Sequence, residues 1–570
     1  MRPDIKNKTW ITIAVVAAFC LAVGLRLFPL YRYAIWGCDT CEYHYLIERL
    51  IATHRLSFEY GGWGVTYPYS PGMYVVVGWL SELCGADSLT MQKIAVPVMA
   101  SFSVFPIFLI ARKLFNEKAG VVASFVYATI LFSTAITSTP ICTTLAEPLL
   151  LLCVLFLIDA YDNPRLLAPL LMTFIALVIT HHLTTYIFVI VLLCAMAIRE
   201  LSQSENDWNK LRVELPFLGI AVPFTAWYWL YFAFPFREHI VYKVLGIPLW
   251  ATALLACAVL VALPGIVALR RRIRKQQQKQ GQQQKQGQQQ TQSHDPDDRA
   301  VITALLITLL LCLIVMVIFM IIPVPGTTVR INAPTIVWFI PTLLLCSLAG
   351  VGTHYCKGDK QLMWAWILAI IISTVVGSIA CSRILIPYRH GQYLAAPLSI
   401  LIGVGALRLT GIKNSGRKRA IAALLVVLLA LSASMVYPPP GIIAQPDEGT
   451  THGELQAAWW VRDNIASDAM IAGDHRTSAL LWGIAQVNVT WERAPKTLYA
   501  ASWAGCADEI REMDIQYVMI SDKLAAGCFM VTSGEPQPLS EQAIEKFDAP
   551  PFVKIYDAEG VRIYTVMPSP

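Results

Sequence analysis

Apolar runs of about twenty residues, each closed by a short polar stretch, recur along the chain from Trp10 to Tyr437. A helix of about that length crosses the hydrocarbon core of a bilayer. On that ruler thirteen segments qualify: 9–29, 91–111, 119–137, 146–161, 166–181, 183–198, 214–234, 247–269, 300–322, 334–352, 362–381, 393–410 and 419–437. The first is too long for a signal-peptide core and has no small-residue cleavage site, so it reads as a retained helix. The pattern predicts a polytopic α-helical membrane protein of about 13 transmembrane helices.

Two stretches break this rhythm. "KQQQKQGQQQKQGQQQTQSHDPDD" (275–298) is polar and of low complexity, and buries too little apolar surface to fold. It reads as the centre of a disordered cytoplasmic loop, 271–299, without chemistry. After "YPPPG" charged residues return: "ELQAAWWVRDNI" has helical periodicity, and "AMIAG", "YVMIS", "FVKIY" and "VRIYTV" read as short strands. Residues 438–570 are therefore expected to form a small α/β domain, set apart from a transmembrane domain spanning 1–437.

Composition agrees with the pattern. Of 570 residues, 56% are hydrophobic and 14% charged, against roughly 25% charged in soluble domains. The net charge of +6 does not point to nucleic acid, because the basic residues cluster in alternate short loops. Arg2, Lys6 and Lys8 begin the series; Arg112, Lys113 and Lys118 follow, then Lys210 and Arg212, "RRRIRK" (270–275), Lys357 and Lys360, and "GRKR" (416–419). By the positive-inside rule these loops are cytoplasmic. An odd number of spans then puts the C-terminal domain outside, in a prokaryotic plasma membrane or an endoplasmic reticulum membrane. The acceptor sequon Asn488-Val489-Thr490 falls on that side.

Topology also gathers the chemistry. A long first external loop (30–90) opens with "GCDTCEYHYLIERL" and continues through an aromatic stretch suited to the membrane interface. Asp39 and Glu42 lie there, and Glu147 lies where a span re-enters the bilayer. A carboxylate near hydrocarbon is costly and usually functional. His181 and His182, Arg330, and Arg383, Arg389 and His390 fall at the same membrane face. Acids beside arginines and histidines at one interface suit a substrate with a phosphate in the headgroup layer and a lipid tail. Arginine grips phosphate with two parallel hydrogen bonds, and the acids can hold a divalent cation or act as general base. Each group also has a plainer reading: solvated loop acids, a carboxylate near a helix start, backbone-satisfied histidines, headgroup-anchoring arginines. "CDTC" is a lone C-x-x-C without a second pair, which argues against zinc and redox use. Cys38 and Cys41, with Cys84 or Cys142 as other partners, and Cys506 with Cys528, remain open as disulfides.

This arrangement resembles the GT-C membrane glycosyltransferases, above all the catalytic subunit of oligosaccharyltransferase. "DTCEYHY" and "YPYSPGMY" stand where that family carries a first-loop acid motif and a following proline turn. The Asp39–Glu42 spacing is also similar to the acid pair of protein O-mannosyltransferases and aminoarabinose transferases. The resemblance implies a glycosyltransferase that moves a sugar from a polyprenyl- or dolichyl-phosphate carrier to a protein, glycan or lipid acceptor. It assigns catalytic roles to Asp39, Glu42 and Glu147, with Asp39 and Glu147 sharing a divalent cation, Mg2+ or Mn2+. His181, His182, Arg330, Arg383, Arg389 and His390 are the expected substrate-binding groups. Trp459 and Trp460 lie inside the expected helix, and "DHRTSALLWG" follows the strand where the family reads its asparagine sequon. That departure points to an acceptor other than the sequon. The alternatives are a transporter or flippase of lipid-linked sugars, which predicts mid-span polar groups and internal repeats, and a non-catalytic membrane scaffold.

Overall fold

The computed structural model describes residues 2–202, 207–238, 298–325, 327, 329–379, 385–411, 415–439, 442, 447–530 and 536–567. The segment expected at 247–269, positions 275–297 of the expected disordered stretch 275–298, and Arg383 lie outside the described residues; position 298 begins the helix Asp298–Ile321.

Among the described residues, nine helices are long and apolar enough to cross a membrane, beginning with Thr9–Tyr31 and ending with Pro387–Thr410. Each coincides with an expected segment. The expected span 119–137 is a pair, Glu117–Thr129 and Leu131–Ser138, bent by 56°. The helix at 166–181 is short (Pro164–Thr180), and 419–437 falls on the helix Ser415–Ser434. The helix Arg299–Ile321 turns Ile302, Leu306, Leu310 and Ile314 outward, as a lipid-facing helix must.

Small residues set the bundle's closest approach. A Cβ on Gly405 would lie 2.1 Å from the Leu348 carbonyl oxygen, and one on Gly352 would lie 2.2 Å from that of Leu401. Helices Ala333–Thr353 and His390–Thr410 thus meet backbone to backbone, the small-residue packing typical inside membranes. Lys113, Arg199, Lys210, Lys357 and Lys360 line one cavity of about 320 Å³. Three of the basic loops read from the sequence therefore gather at one end of the bundle.

At the other end the first loop folds into two helices, Asp39–Thr53 and Pro71–Cys84. The first buries Thr40, Cys41, Glu42, Tyr43, His44, Leu46 and Ile47. It is roofed by the C-terminal domain rather than lying open at the interface. That domain holds a five-stranded sheet in the order β2-β1-β3-β5-β4, where β1 is Met470–Ala472, β2 Asn488–Val489, β3 Ile515–Ser521, β4 Phe552–Ala558 and β5 Val561–Val566. β1 pairs in parallel with β2 and β3, and β5 runs antiparallel to β3 and β4. The β4–β5 hairpin turns through Glu559 and Gly560, both at positive φ (48° and 74°), the backbone a tight two-residue hairpin needs. The helix His452–Asn464 starts on a capping box of Thr451 and Glu454, which satisfies amides the helix cannot. β2 escaped the sequence reading because it is two residues long, and it carries the sequon's Asn488 exposed.

The two halves are joined at a continuous seam. Ile35 and Thr450 form an antiparallel bridge, and Tyr33 Oη donates to Asp447 at 2.5 Å. Ala34, Ile35, Cys41 and Leu89 share one apolar cluster with Leu455, Leu480, Leu481 and Ile484. A Cβ on Gly483 would fall 2.1 Å from the Cys41 carbonyl oxygen, so the sheet domain rests directly on the first-loop helix.

Candidate active site at the seam

Asp39 opens the helix Asp39–Thr53, and Glu42 follows one turn later on the same face. Glu42 is wholly buried. Its Oε2 accepts from Tyr60 Oη at 2.5 Å and from the Gly64 amide at 3.2 Å, while Oε1 has no partner. Burial first, then the Asp39 charge, push its carboxyl up to about 7 against those two hydrogen bonds. Cys38 Sγ lies 3.8 Å from Asp39 Oδ1. Burial, reinforced by the Asp39 charge, pushes the Cys38 thiol up.

The C-terminal domain supplies the facing wall. Asp474 caps the short helix His475–Leu480 by accepting from the Thr477 amide at 2.9 Å, and takes the Phe529 amide at 3.1 Å and Arg476 Nη2 at 3.0 Å. The His475 amide donates to the Phe529 carbonyl at 3.0 Å, so its backbone is pinned on both sides. The imidazole is buried, with Nδ1 at 3.3 Å from Glu492 Oε1. Burial pulls its affinity for a proton down, but Glu492, Asp39 and Glu42 together outweigh it and hold the group above the usual histidine range. One ligand atom each from Cys38, Asp39 and His475 lie within 4.8 Å of one another.

Around this cluster stand aromatic rings. Trp63 meets the His475 ring edge-on at 5.0 Å and Trp491 at 6.0 Å, and Trp482 packs on Tyr45 at 5.3 Å. Trp491 holds φ at 51°, a backbone state that costs a bulky residue roughly 1–3 kcal/mol. Trp63 remains 41% exposed, so the aromatic wall opens to solvent there.

A cation stands near this cluster. Arg389, at the start of the helix His390–Thr410, acts electrostatically on Tyr67 together with Asp39. Glu448, in the strap leading into the sheet domain, feels Asp39, Arg389, His475 and Lys523. The Arg389 charge also reaches His181 and His182. His181 is held between Thr143 Oγ1 at 2.9 Å and Thr184 Oγ1 at 2.8 Å, and Thr184 contacts Tyr393 Oη at 2.9 Å. The His182 ring meets Trp229 edge-on at 5.4 Å and lies tilted against Phe236 at 5.0 Å.

Other sequence candidates lie elsewhere. Both Glu147 oxygens are occupied by partners inside the bundle: Tyr127 and Ser133 (2.8 Å) on Oε1, Gln392 (2.6 Å) on Oε2. Asp39 is not among these hydrogen-bond partners. His390 faces Ser373 at 2.6 Å on the neighbouring helix. Arg330 is exposed in the segment before the helix Ala333–Thr353. Cys38, Cys41, Cys84, Cys142, Cys506 and Cys528 are all free thiols, so neither open disulfide forms. The sequence reading passed over His475, Glu448, Trp63 and Glu492. The clearest available signal was the polar trio Asp474-His475-Arg476 directly after a buried strand.

No protein-family profile matches the chain, and no curated protein matches its sequence. Solved structures do match its architecture. The oligosaccharyltransferase AglB of Archaeoglobus fulgidus, in complex with an inhibitory peptide and a dolichol-phosphate, superposes with a TM-score of 0.59 at 14% identity, over 91% of this chain and 70% of that one. The same organism's oligosaccharyltransferase in complex with zinc and sulfate gives 0.55 at 13% identity, over 90% and 68%. The arabinofuranosyltransferase AftD from Mycobacteria gives 0.51 at 14% identity, over 99% of this chain and 40% of that one. This chain has the GT-C fold. The GT-C architecture accounts for the order of parts: a bundle, a folded first loop carrying Asp39, and a sheet domain seated on that loop.

Proposed function

We propose that this GT-C chain is a glycosyltransferase that takes a sugar from a polyprenyl- or dolichyl-phosphate carrier and transfers it to an acceptor at the seam. The observation that carries the reading is that donor atoms of Cys38 and Asp39 from the first loop and of His475 from the sheet domain lie within 4.8 Å of one another beside the exposed Trp63 ring, with the charges of Arg389 and Glu448 close enough to interact with Asp39. In the reaction the acceptor's oxygen or nitrogen forms a bond to the anomeric carbon, and the carbon–oxygen bond to the carrier phosphate breaks. The phosphate leaves with that electron pair, and the acceptor's proton passes to a carboxylate.

Each residue has a role the geometry suits. Asp39 receives the proton or orients the acceptor. Arg389 neutralises charge that grows on the leaving phosphate, as fixed cations do most effectively where water is excluded. Trp63 offers its face to the sugar ring. A divalent cation bound by Asp39 would supply further neutralisation of phosphate, and the unpartnered buried Oε1 of Glu42 together with the Cys38–Asp39–His475 donor set fit such an ion. Glu147, shut among hydrogen-bond donors inside the bundle, supports transfer over transport, because a transport carboxylate must meet water. The departures after β1 support an acceptor other than an asparagine sequon. The membrane face is expected to be extracytoplasmic, following the basic loops at the opposite end.

The test is transfer from a labelled polyprenyl-phosphate sugar by the protein in nanodiscs. Asp39→Ala should abolish turnover, and Arg389→Ala should lower it by about 10²–10³, the cost of one transition-state donor. Full turnover by Asp39→Ala would remove the reading.

A further inference from the structure

We propose that the Asp39 site is a transition-metal site of zinc type, built by Cys38 and Asp39 from the first loop and by His475 from the sheet domain. This rests on the reading of the seam as the active site, and it names the ion and its ligands.

Four observations carry it. The donor atoms of Cys38, Asp39 and His475 lie within 4.8 Å of one another, so small side-chain rotations bring all three to one ion with bonds of ~2.0–2.3 Å. The donors are chemically mixed: sulfur and imidazole favour zinc-like ions, whereas magnesium prefers oxygen alone. Glu492 Oε1 stands 3.3 Å from His475 Nδ1. A carboxylate this close to one ring nitrogen can orient a metal-binding imidazole and would leave Nε2 for the ion. Finally, Glu42 keeps one oxygen wholly buried and unpartnered beside the cluster, an acceptor that a cation bound there would satisfy. Three protein ligands would leave room on such an ion for a further donor, which the carrier phosphate could supply.

The C-x-x-C stands alone in the sequence, so its cysteines carry no zinc or redox signal there. The structure separates its two thiols. Cys41 packs into the apolar seam, while Cys38 stands beside Asp39. The missing partner is His475, 437 positions away by the difference of the two residue numbers.

The experiment uses the full chain, without a polyhistidine tag, stripped by chelator in nanodiscs and titrated with Co2+ and, separately, with Mg2+. One Co2+ per chain should bind, with the intense visible bands of a four-coordinate ion and a near-ultraviolet thiolate-to-cobalt charge-transfer band. Cys38→Ser should erase the charge-transfer band, and His475→Gln should erase the four-coordinate spectrum. Glu492→Gln should weaken binding about 10–100-fold, the usual cost of losing a supporting carboxylate. Thermal melting without metal reports whether each variant is folded, and Cys84→Ser, an exposed thiol on the next helix, should keep the wild-type spectrum. A Co2+ spectrum without the sulfur band, or one unchanged in Cys38→Ser, overturns the assignment. Sugar transfer that persists with Mg2+ while Co2+ fails to bind would reject the zinc-type site and leave the glycosyltransferase reading standing. A wild-type cobalt spectrum in a chain that transfers no sugar would do the reverse.

Discussion

Glu42 illustrates how burial writes chemistry into a single side chain. Its carboxyl is held at about 7, above the ordinary value of 4.5, chiefly because it is desolvated. The native state therefore keeps a proton that the unfolded chain gives up. The linkage sign follows: this contribution to stability is complete below about pH 4.5 and is lost as pH rises through about 7. Each pH unit crossed in that window costs at most about 1.4 kcal/mol. In chelator-containing buffer the wild type should melt progressively lower from pH 5 to pH 7.5, and Glu42→Gln should show a shallower slope. Identical slopes would disprove the account. Asp39 and Glu42 were legible in the sequence because they sit together in "CDTCEYH" directly after the first apolar span, where the resembled family carries its first-loop acid motif. Their partner His475 was not, because nothing local in "DHRTSALL" reveals which surface its helix will face.

At the scale of elements, the first-loop helix and the sheet domain meet through a contact that tolerates no side chain. Gly483→Ala would drive a methyl group into the Cys41 carbonyl. The helix Asp39–Thr53 and the turn Leu481–Ala485 would have to part, separating Asp39 from His475. Transfer should fall more than tenfold while the bundle still elutes as a folded particle, measured by activity beside size-exclusion chromatography. Wild-type turnover in Gly483→Ala would show that the seam has slack. Four of the five strands and the helix His452–Asn464 were readable from alternation and periodicity, since each is long enough to carry a pattern. β2 was not, being only two residues of edge strand. The bend at Ile130 was equally hidden, because an apolar run looks the same whether it is straight or turned by 56°.

For the whole molecule, apolar run length and loop charge carried most of the reading. The long-range pairing of elements did not follow from either. Glu147 shows the difference. Its position at a span start suggested catalysis, yet it ties three helices together: Tyr127 from Glu117–Thr129, Gln392 from His390–Thr410, and its own Cys142–Asp162. Arg26 from the first helix reaches the same region through Thr137 at 2.8 Å. Glu147→Ala should cost about 1–3 kcal/mol for each donor left unpaired, seen as a lower melting temperature. The remaining folded fraction should keep its metal spectrum at the seam. Loss of that spectrum from fully folded protein would place Glu147 in the site after all.

The Ile35–Thr450 bridge and the Gly483 contact make the pocket a property of neither half alone. A chimera that took its sheet domain from another chain would need that domain to supply both an imidazole and a glycine where His475 and Gly483 stand. Any lineage that exchanged these parts would have had to carry both faces of the joint together. Substitutions in the sheet domain are then tolerated only as far as that shared joint allows.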